Sequence, residues 1–454
     1  MKLFLRIAFA QLFMKTKMRP ILAVALAILF CSVNTANAAT YPVTNTNDAG
    51  AGSLRQAVLD ANANSGADII DATGITGTIN LSTGQLTITD VVTITGPGAT
   101  LLDVHNATYP NARNRVFYIG NVAVTISGLT ISGGYLDVFV DHDLGQEAWN
   151  GAGIYNTGQL NLTNCTISGN TIHSSGEAYP DGGYGDGIYN TGTLTITNSL
   201  ITNNVGTESN VTPAQGGGIS NHGTAYINNS TISNNFTDVG GGIFNGGPMT
   251  INNSTISTNN AGVGGGIQQA GGKLTVTNST ISGNVGGNGG GIYYSSDTCR
   301  ITNCTITGND GYGGGIYNHL YSLNGVVPPN VFTIDNSIVA GNTNSYSGSE
   351  GADYYFPTGG IPPAGYGNLT SLGHNIFGKV DAPYDWTFTG AGDQVGSYAS
   401  PINPLLGPLA DNGGPTFTHA LLTGSPAINT GSPQHFHGGV ETHVQDTVFT
   451  LRLE

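Results

Sequence analysis

Charge is scarce in this sequence. Only 12 of 454 residues are Lys or Arg and 27 are Asp or Glu, 9% in all, against roughly a quarter in an ordinary soluble domain. Disordered chains replace missing apolar residues with charge, so this composition excludes them. Five of the cations and none of the acids fall in residues 1–38, leaving 7 − 27 = −20 for the rest. A surface that acidic excludes nucleic acid and anionic membranes as partners and leaves cations, neutral glycans or proteins. The apolar run from Ile21 to Cys31 is too short for an ordinary membrane span. P-loops, serine-nucleophile motifs and metal-spaced Cys/His clusters are missing too.

Cysteine is equally sparse, with four in the chain. Cys31 lies in the apolar run, and the bulky Phe30 before it argues against lipid attachment. Cys165 and Cys304 both replace the Ser of a recurring Asn-Ser-Thr phrase, five repeats apart. That is about 24 Å at the spacing of stacked strands, too far for a disulfide. Cys299 and Cys304 are close in sequence but read as small buried residues.

What is abundant is glycine, 70 residues, about twice average usage, and it is periodic. Isoleucine after a glycine-rich lead recurs at Ile154, Ile188, Ile219, Ile243, Ile267, Ile292 and Ile316, with spacings of 34, 31, 24, 24, 25 and 24. Each lead precedes a second phrase, most regular from Leu274 to Asn284. Two or three short strands per unit of about 24 residues predict an all-β solenoid.

The N-terminus reads as a signal peptide over 1–38. Lys15, Lys17 and Arg19 precede the apolar run, and Ala36-Asn37-Ala38 supplies small residues for cleavage. A start at Met14 or Met18 gives the leader an ordinary length. The expected location is therefore secreted or at the bacterial cell surface or outer membrane, with no transmembrane segment in the mature chain. Residues 39–85 are expected to form an N-terminal cap. Ser53 with Gln56 has the pattern of a capping box, and Leu54, Ala57, Val58 and Ala61 share one face of a helix over 53–63. Such a helix covers the open end of a solenoid, which otherwise exposes core and unpaired strand edges.

The run Val43 to Ala57, followed by Leu86-Thr-Ile-Thr-Asp90 and Val92-Thr-Ile-Thr-Gly-Pro-Gly98, resembles secreted right-handed β-helix proteins with a CSLREA-type N-terminal segment. Gly52 and Gln56 stand where that motif has Cys and Glu. The paired phrases Gly289-Gly-Gly-Ile292 and Ile281-Ser-Gly-Asn284 resemble the extracellular repeats of polymorphic outer membrane proteins, whose second phrase usually starts with Phe. The resemblance implies a right-handed, single-stranded parallel β-helix of the pectin-lyase-like kind. We expect about ten coils over 86–342, an irregular last coil and C-terminal cap over 343–430, and an atypical tail over 431–454 that reads as truncated.

Two asparagine columns follow from the repeat: Asn164, Asn198, Asn229, Asn253, Asn278, Asn303 and Asn336, and Asn170, Asn204, Asn235, Asn259, Asn284, Asn309 and Asn342. Asn tolerates left-handed backbone, and stacked amides can donate and accept along the rod, so both are structural ladders. Their Asn-x-Ser/Thr triplets are by-products of the ladder. An outward Thr column is interrupted by Tyr226 and Arg300, which weighs against an ice-matching surface. An aromatic column of Tyr155, Tyr189, Phe244, Tyr293 and Tyr317 reads first as coil-to-coil stacking and second as a sugar platform.

Chemistry is expected where the period lengthens. Asp137, Asp141, His142, Asp143 and Glu147 lie in one long connection, Glu177, Asp181 and Asp186 in the next, and Glu208 in a third. Neighbouring insertions project side by side. The catalytic candidates are therefore Asp141, Asp143, Glu147, Asp181 and Asp186, as an acid and base for glycan chemistry. The metal candidates are Asp141, Asp143, Glu177 and Asp181, and Ca²⁺ is the cofactor such a set would take. A solvated acidic loop is the competing reading.

A pectate-type lyase would want a cation beside those carboxylates, yet the only Lys or Arg between Ile154 and Asn342 are Lys273 and Arg300, outside the insertions. The Asp-Asp pair and Gly-His-Gly turn by which galacturonan hydrolases resemble one another are lacking, and His222 and His319 take turn positions. The leading expectation is non-catalytic surface presentation, adhesion or glycan binding, with an extracellular glycan or a host or neighbour cell-surface protein as partner. A polysaccharide lyase or glycosidase and a calcium-stabilised binding module remain open beside it.

Overall fold

The computed structural model describes residues 38–107, 114–137, 149–173, 183–206, 213–295, 298–319, 331–345, 353–355, 369–380, 388 and 390–432. One coil shows how the repeat is used. Ile219–Asn221, Thr224–Asn228, Thr231–Ser233 and Phe236–Val239 are four short strands. Each pairs in parallel with its counterpart one coil on, Ile243–Asn245, Met249–Asn252, Thr255–Ser257 and Asn260–Val263. Each coil from Tyr135–Asp137 to Asp310–Tyr312 thus adds one strand to each of four ladders, and the backbone groups of a strand are satisfied by the coils on either side.

The second ladder has twelve strands. Its first, Thr40–Pro42, and last, Leu369–Gly373, belong to the two ends, and ten lie between them, of which one, Asp68–Asp71, falls before residue 86. The first and third ladders join near the end, where Tyr354 pairs with Val380.

Alternation along the strands fills the core. Ile219, Ile243, Ile267, Ile292 and Ile316 stack from one ladder, and Ile232, Ile256, Ile281 and Ile306 from another, all fully buried. At about 1.5–3 kcal/mol for each large aliphatic side chain, these columns are the main source of stability. Cys165, Cys299 and Cys304 are buried among them. Cys165 and Cys304 occupy Ser positions: the Cys165 N–H donates to Ser199 Oγ at 3.1 Å and the Cys304 N–H to Ser337 Oγ at 3.0 Å.

The two expected asparagine columns divide the work. The first sits at a turn with φ between 49° and 54° at all seven positions. The second is buried, and each Nδ2 donates to the next Oδ1 at 2.9–3.0 Å from Asn170 through Asn342. From Asn170 onward each Nδ2 also donates to an isoleucine carbonyl of the preceding coil, as from Asn259 to Ile232 O at 3.0 Å. Asp353 ends this ladder, accepting from Asn342 Nδ2 at 2.8 Å. Burial raises the Asp353 carboxyl to about 6, against the hydrogen bonds from Asn342 and Lys379 that favour its charged form. A third buried ladder, Asn156, Asn190, Asn221, Asn245 and Gln269, runs with donor–acceptor distances of 2.7–2.8 Å.

The N-terminal end is closed by helix α1, Leu54–Ala63, whose Leu54, Ala57, Val58 and Ala61 are buried as their spacing predicts. Ser53 Oγ accepts from the Gln56 N–H at 3.1 Å. The reciprocal half of the capping box is absent, because Gln56 Nε2 donates to Asp60 instead and the Ser53 N–H to Gly50 O. Arg55 fastens α1 to the first coil by donating to Asp48 and to the carbonyls of Gly84 and Gln85. Burial alone would raise the Asp48 carboxyl, but hydrogen bonds from Arg55, Thr83 and Ser82 outweigh it and hold it at about 2.

At the other end the chain turns back. Leu406–Ala410 and Thr418–Leu421 form an antiparallel hairpin that lies along the outer face of the third ladder. Thr255 Oγ1 donates to Phe417 O at 2.6 Å, and Ser282 Oγ and His419 Nε2 lie 2.8 Å apart. Under it Thr255, Thr280 and Thr305 are buried.

Candidate functional site at the corner of three insertions

The fourth ladder begins with Tyr135–Asp137, Thr171–His173 and Val205–Gly206. These strands are in register, with Asp137 opposite His173 and Thr171 opposite Val205. The chain leaves the described coils after Asp137, His173 and Gly206, and returns at Trp149, Gly183 and Pro213. Tyr184 bridges Gln215, which bridges Val239. The three long connections therefore start and finish on adjacent rungs of one corner. Asp141, His142, Asp143, Glu147, Glu177, Asp181 and Glu208 lie outside the described residues.

At the roots, His173 Nδ1 approaches Asp137 Oδ1 at 3.7 Å, and the His173 ring stacks on Tyr135 with centroids 6.3 Å apart. On the return side Tyr184 stacks on Tyr189 at 6.0 Å, and His222 lies 5.2 Å from Tyr189 and 5.5 Å from Phe244. Arg115 stands 5.3 Å over the Tyr155 ring. The aromatic column thus packs coil against coil, with His222 bridging the rung where Ser220 replaces an aromatic residue. His319 stacks similarly on Tyr293 and Tyr317.

Asp186 is placed differently from the other insertion carboxylates. It is the middle residue of the Gly-x-Gly-Ile turn that restarts the coil, where later repeats have Gly217, Gly241 and Gly265. The expectation of a solvent-facing loop carboxylate is corrected at this residue: it is 1% exposed. A Cβ on Gly206 would stand 2.6 Å from Asp186 Oδ2 and 2.6 Å from Thr237 Oγ1. Neither Asp186 oxygen, nor Thr237 Oγ1, has a hydrogen-bond partner of normal geometry. Burial, with Asp238 adding to it, pushes the Asp186 carboxyl well above the ordinary range; the nearby Ile172 N–H and Thr237 hydroxyl offset only part. This is a buried acid at the base of the insertions, and burial disfavours its charged form.

Among the described residues no three His, Cys, Asp or Glu side chains are grouped to hold a metal ion, and no helix is long and apolar enough to cross a membrane. The turn geometry is repeated without interruption from Ala152 to Gly314. A family profile described as "Right handed beta helix region" matches residues 150–324. The fold is a right-handed parallel β-helix. Similar solved structures include Geobacillus virus E2 ORF18, 12% identical over 79% of this chain with a TM-score of 0.38. Another is the PL6 family alginate lyase AlyGC, 13% identical over 80% with a TM-score of 0.34. The chain spans 64% and 54% of the length of those two structures. No curated protein matches it.

Three features escaped the sequence reading. The third amide ladder was hidden because its column passes through Gln269 and Tyr294 before returning to Asn at Asn318. The return-side stack needed Tyr184, which precedes the repeat phrase. The folded-back hairpin left no periodic signal, although Pro404, Pro408 and Pro415 around it mark a segment that cannot join the stack.

Proposed function

We propose that the chain is a secreted or cell-surface β-helix that acts without catalysis, in surface presentation, adhesion or glycan binding. The observation that carries this reading is the set of uninterrupted ladders. The buried amides from Asn170 to Asn342 are satisfied by neighbouring coils, so long side-chain columns are held at fixed spacing on a rigid support. The pattern of residues 1–38 supports export. The likeness of residues 43–57 to the CSLREA-type segment, and of the GGGI and Ile-x-x-Asn phrases to polymorphic outer membrane proteins, supports a bacterial surface location.

The stacked roots of the insertions favour a second reading. They bring the connections bearing Asp141, Asp143, Glu147, Glu177 and Asp181 to adjacent rungs, which suits a Ca²⁺-stabilised binding module or an acid–base pair for polysaccharide cleavage. Screening the secreted protein against a polysaccharide panel, with and without calcium, tests both. Glycan or cell binding without turnover is expected. Turnover that disappears on replacing Asp141, Asp143 and Asp181 with Asn would overturn the non-catalytic reading.

A further inference from the structure

Asp68 is a buried carboxylate that lacks a counter-charge. It opens the second strand of the second ladder, Asp68–Asp71, and is 1% exposed. Its Oδ1 accepts from the Ala39 N–H at 2.7 Å and from Nδ2 of Asn64, the C-cap of α1, at 2.8 Å. Its Oδ2 is also buried and has no hydrogen-bond partner. Among the described residues no Lys, Arg or His pairs with Asp68. Arg55 is committed to Asp48 and to the carbonyls of Gly84 and Gln85. A charge buried in this way is costly to the fold unless a cation meets it.

The residue that reaches Asp68 is the one that follows the small-residue pattern Ala36-Asn37-Ala38. Hydrolysis of the Ala38–Ala39 bond by a leader peptidase takes up one water. It leaves a carboxylate on Ala38 and an amine on Ala39, and near neutral pH that amine takes a proton from solvent. An amide with one N–H thereby becomes an ammonium with three. One N–H keeps the bond to Oδ1, a second is available to Oδ2, and the positive charge neutralises the carboxylate. We propose that Asp68 is the receptor for this new N-terminus, so that removal of residues 1–38 completes the N-terminal cap. The proposal rests on the export reading above and adds a structural consequence to it.

Register fixes which residue can take this role. Thr40 lies opposite Ile69, and the Ile69 N–H donates to Ala39 O at 2.8 Å, so the ladder holds the Ala39 nitrogen in place. A chain that starts one residue earlier or later carries its amino group about 3.3 Å along the strand, away from the carboxylate. The surroundings favour a cation. Asn64 donates to the same oxygen as Ala39, which sets the ammonium by the C-terminal end of α1, where positive charge is stabilised. Burial and the charges of Asp68 and Asp60 push the Tyr41 hydroxyl up, so Tyr41 stays a neutral phenol while Asp60 adds negative potential.

Two measurements test the proposal. N-terminal sequencing and intact mass of the exported chain should give Ala39 as its first residue. The full mature chain, released with Ala39 first by cutting a fusion in vitro, is then compared with its N-acetylated form, with a chain extended by one Gly, and with Asp68→Asn. In the parent the α-amino pKa, read from the pH dependence of amine-reactive labelling, should lie about one unit or more above the ordinary range of about 7.7–8.0 and should fall back in Asp68→Asn. Hydrogen exchange over Leu54–Ala63 should be about tenfold faster in the acetylated and extended chains. Both keep the amide donor at Ala39, so the change reports the charge. An exported chain that starts elsewhere, an α-amino pKa that Asp68→Asn leaves unchanged, or equal exchange in the free and acetylated chains would overturn the proposal. Failure of the export reading would look different: the chain would stay in the cell with residues 1–38 attached, which overturns the processing step, while the chain cut in vitro still shows the raised α-amino pKa.

Discussion

The long early units and the regular later ones use the same turn in opposite ways. In coils from Gly217 onward, the middle glycine of the turn meets the backbone of the fourth ladder directly: a Cβ on Gly241 would lie 2.6 Å from Asn260 O, and one on Gly265 would overlap Val285 O. The inward fourth-ladder residues facing these glycines are small, Ala261, Gly286 and Gly311. In the early coils those positions carry Leu136 and Ile172, which pack with Ala152 in a separate buried cluster, and the next turn admits Asp186. The early turns carry Ala152 and Asp186 beside Leu136 and Ile172, whereas the later turns carry glycine beside small residues.

The largest effect should come from forcing the regular coils to behave like the early ones. Gly265→Val places a branched side chain against two carbonyl oxygens and should cost about 3–5 kcal/mol in denaturant unfolding; Ala152→Gly, at the matching early position, should cost about 1 kcal/mol. Equal losses would show that the two regions do not differ in closeness. Next, Asn259→Ala removes both the acceptor for Asn235 and the donor to Asn284, and should cost about 2–4 kcal/mol.

A gain is expected at the corner. Asp186→Asn removes an ionisable group that burial disfavours when charged, so its melting temperature at pH 7 should exceed that of the parent. The folded-state pKa of Asp186 is raised, so the parent is relatively stabilised at low pH and loses that stability as pH rises through the raised value. The advantage of Asp186→Asn should thus shrink as pH falls towards 4, about the ordinary carboxylate value. A gap that stayed constant with pH would mean the carboxyl is not the cause. The smallest effect is expected at the surface asparagine column: Asn253→Gly keeps the left-handed backbone and should change stability by about 0.5 kcal/mol or less.

The coil was legible because its determinants are periodic. Ile219 through Ile316, the seven left-handed asparagines and the buried Asn170-to-Asn342 column each recur at the coil interval, and α1 announced itself through Ser53 and four apolar residues on one face. The corner was legible only as a change of spacing. That Asp186 would turn inward depended on Gly206 and Thr237, residues 20 and 51 positions later in the chain, which no local pattern connects to it. Tyr226 and Arg300 were visible as two exceptions to a Thr series, but that they lie three rungs apart on one face follows from register alone.

The hairpin along the third ladder bears on how such a stack comes apart. Coils held only by their neighbours can peel away singly from an open end. Here the segment after the last coil runs back to Asn253 and Thr255, with further hydrogen bonds at Ser282, His374 and Asn336. Losing the final coil requires detaching a clasp that also grips coils well inside the array. Unravelling from the C-terminal side is thereby made a collective event, and the face that the clasp occupies is withdrawn from use by any partner.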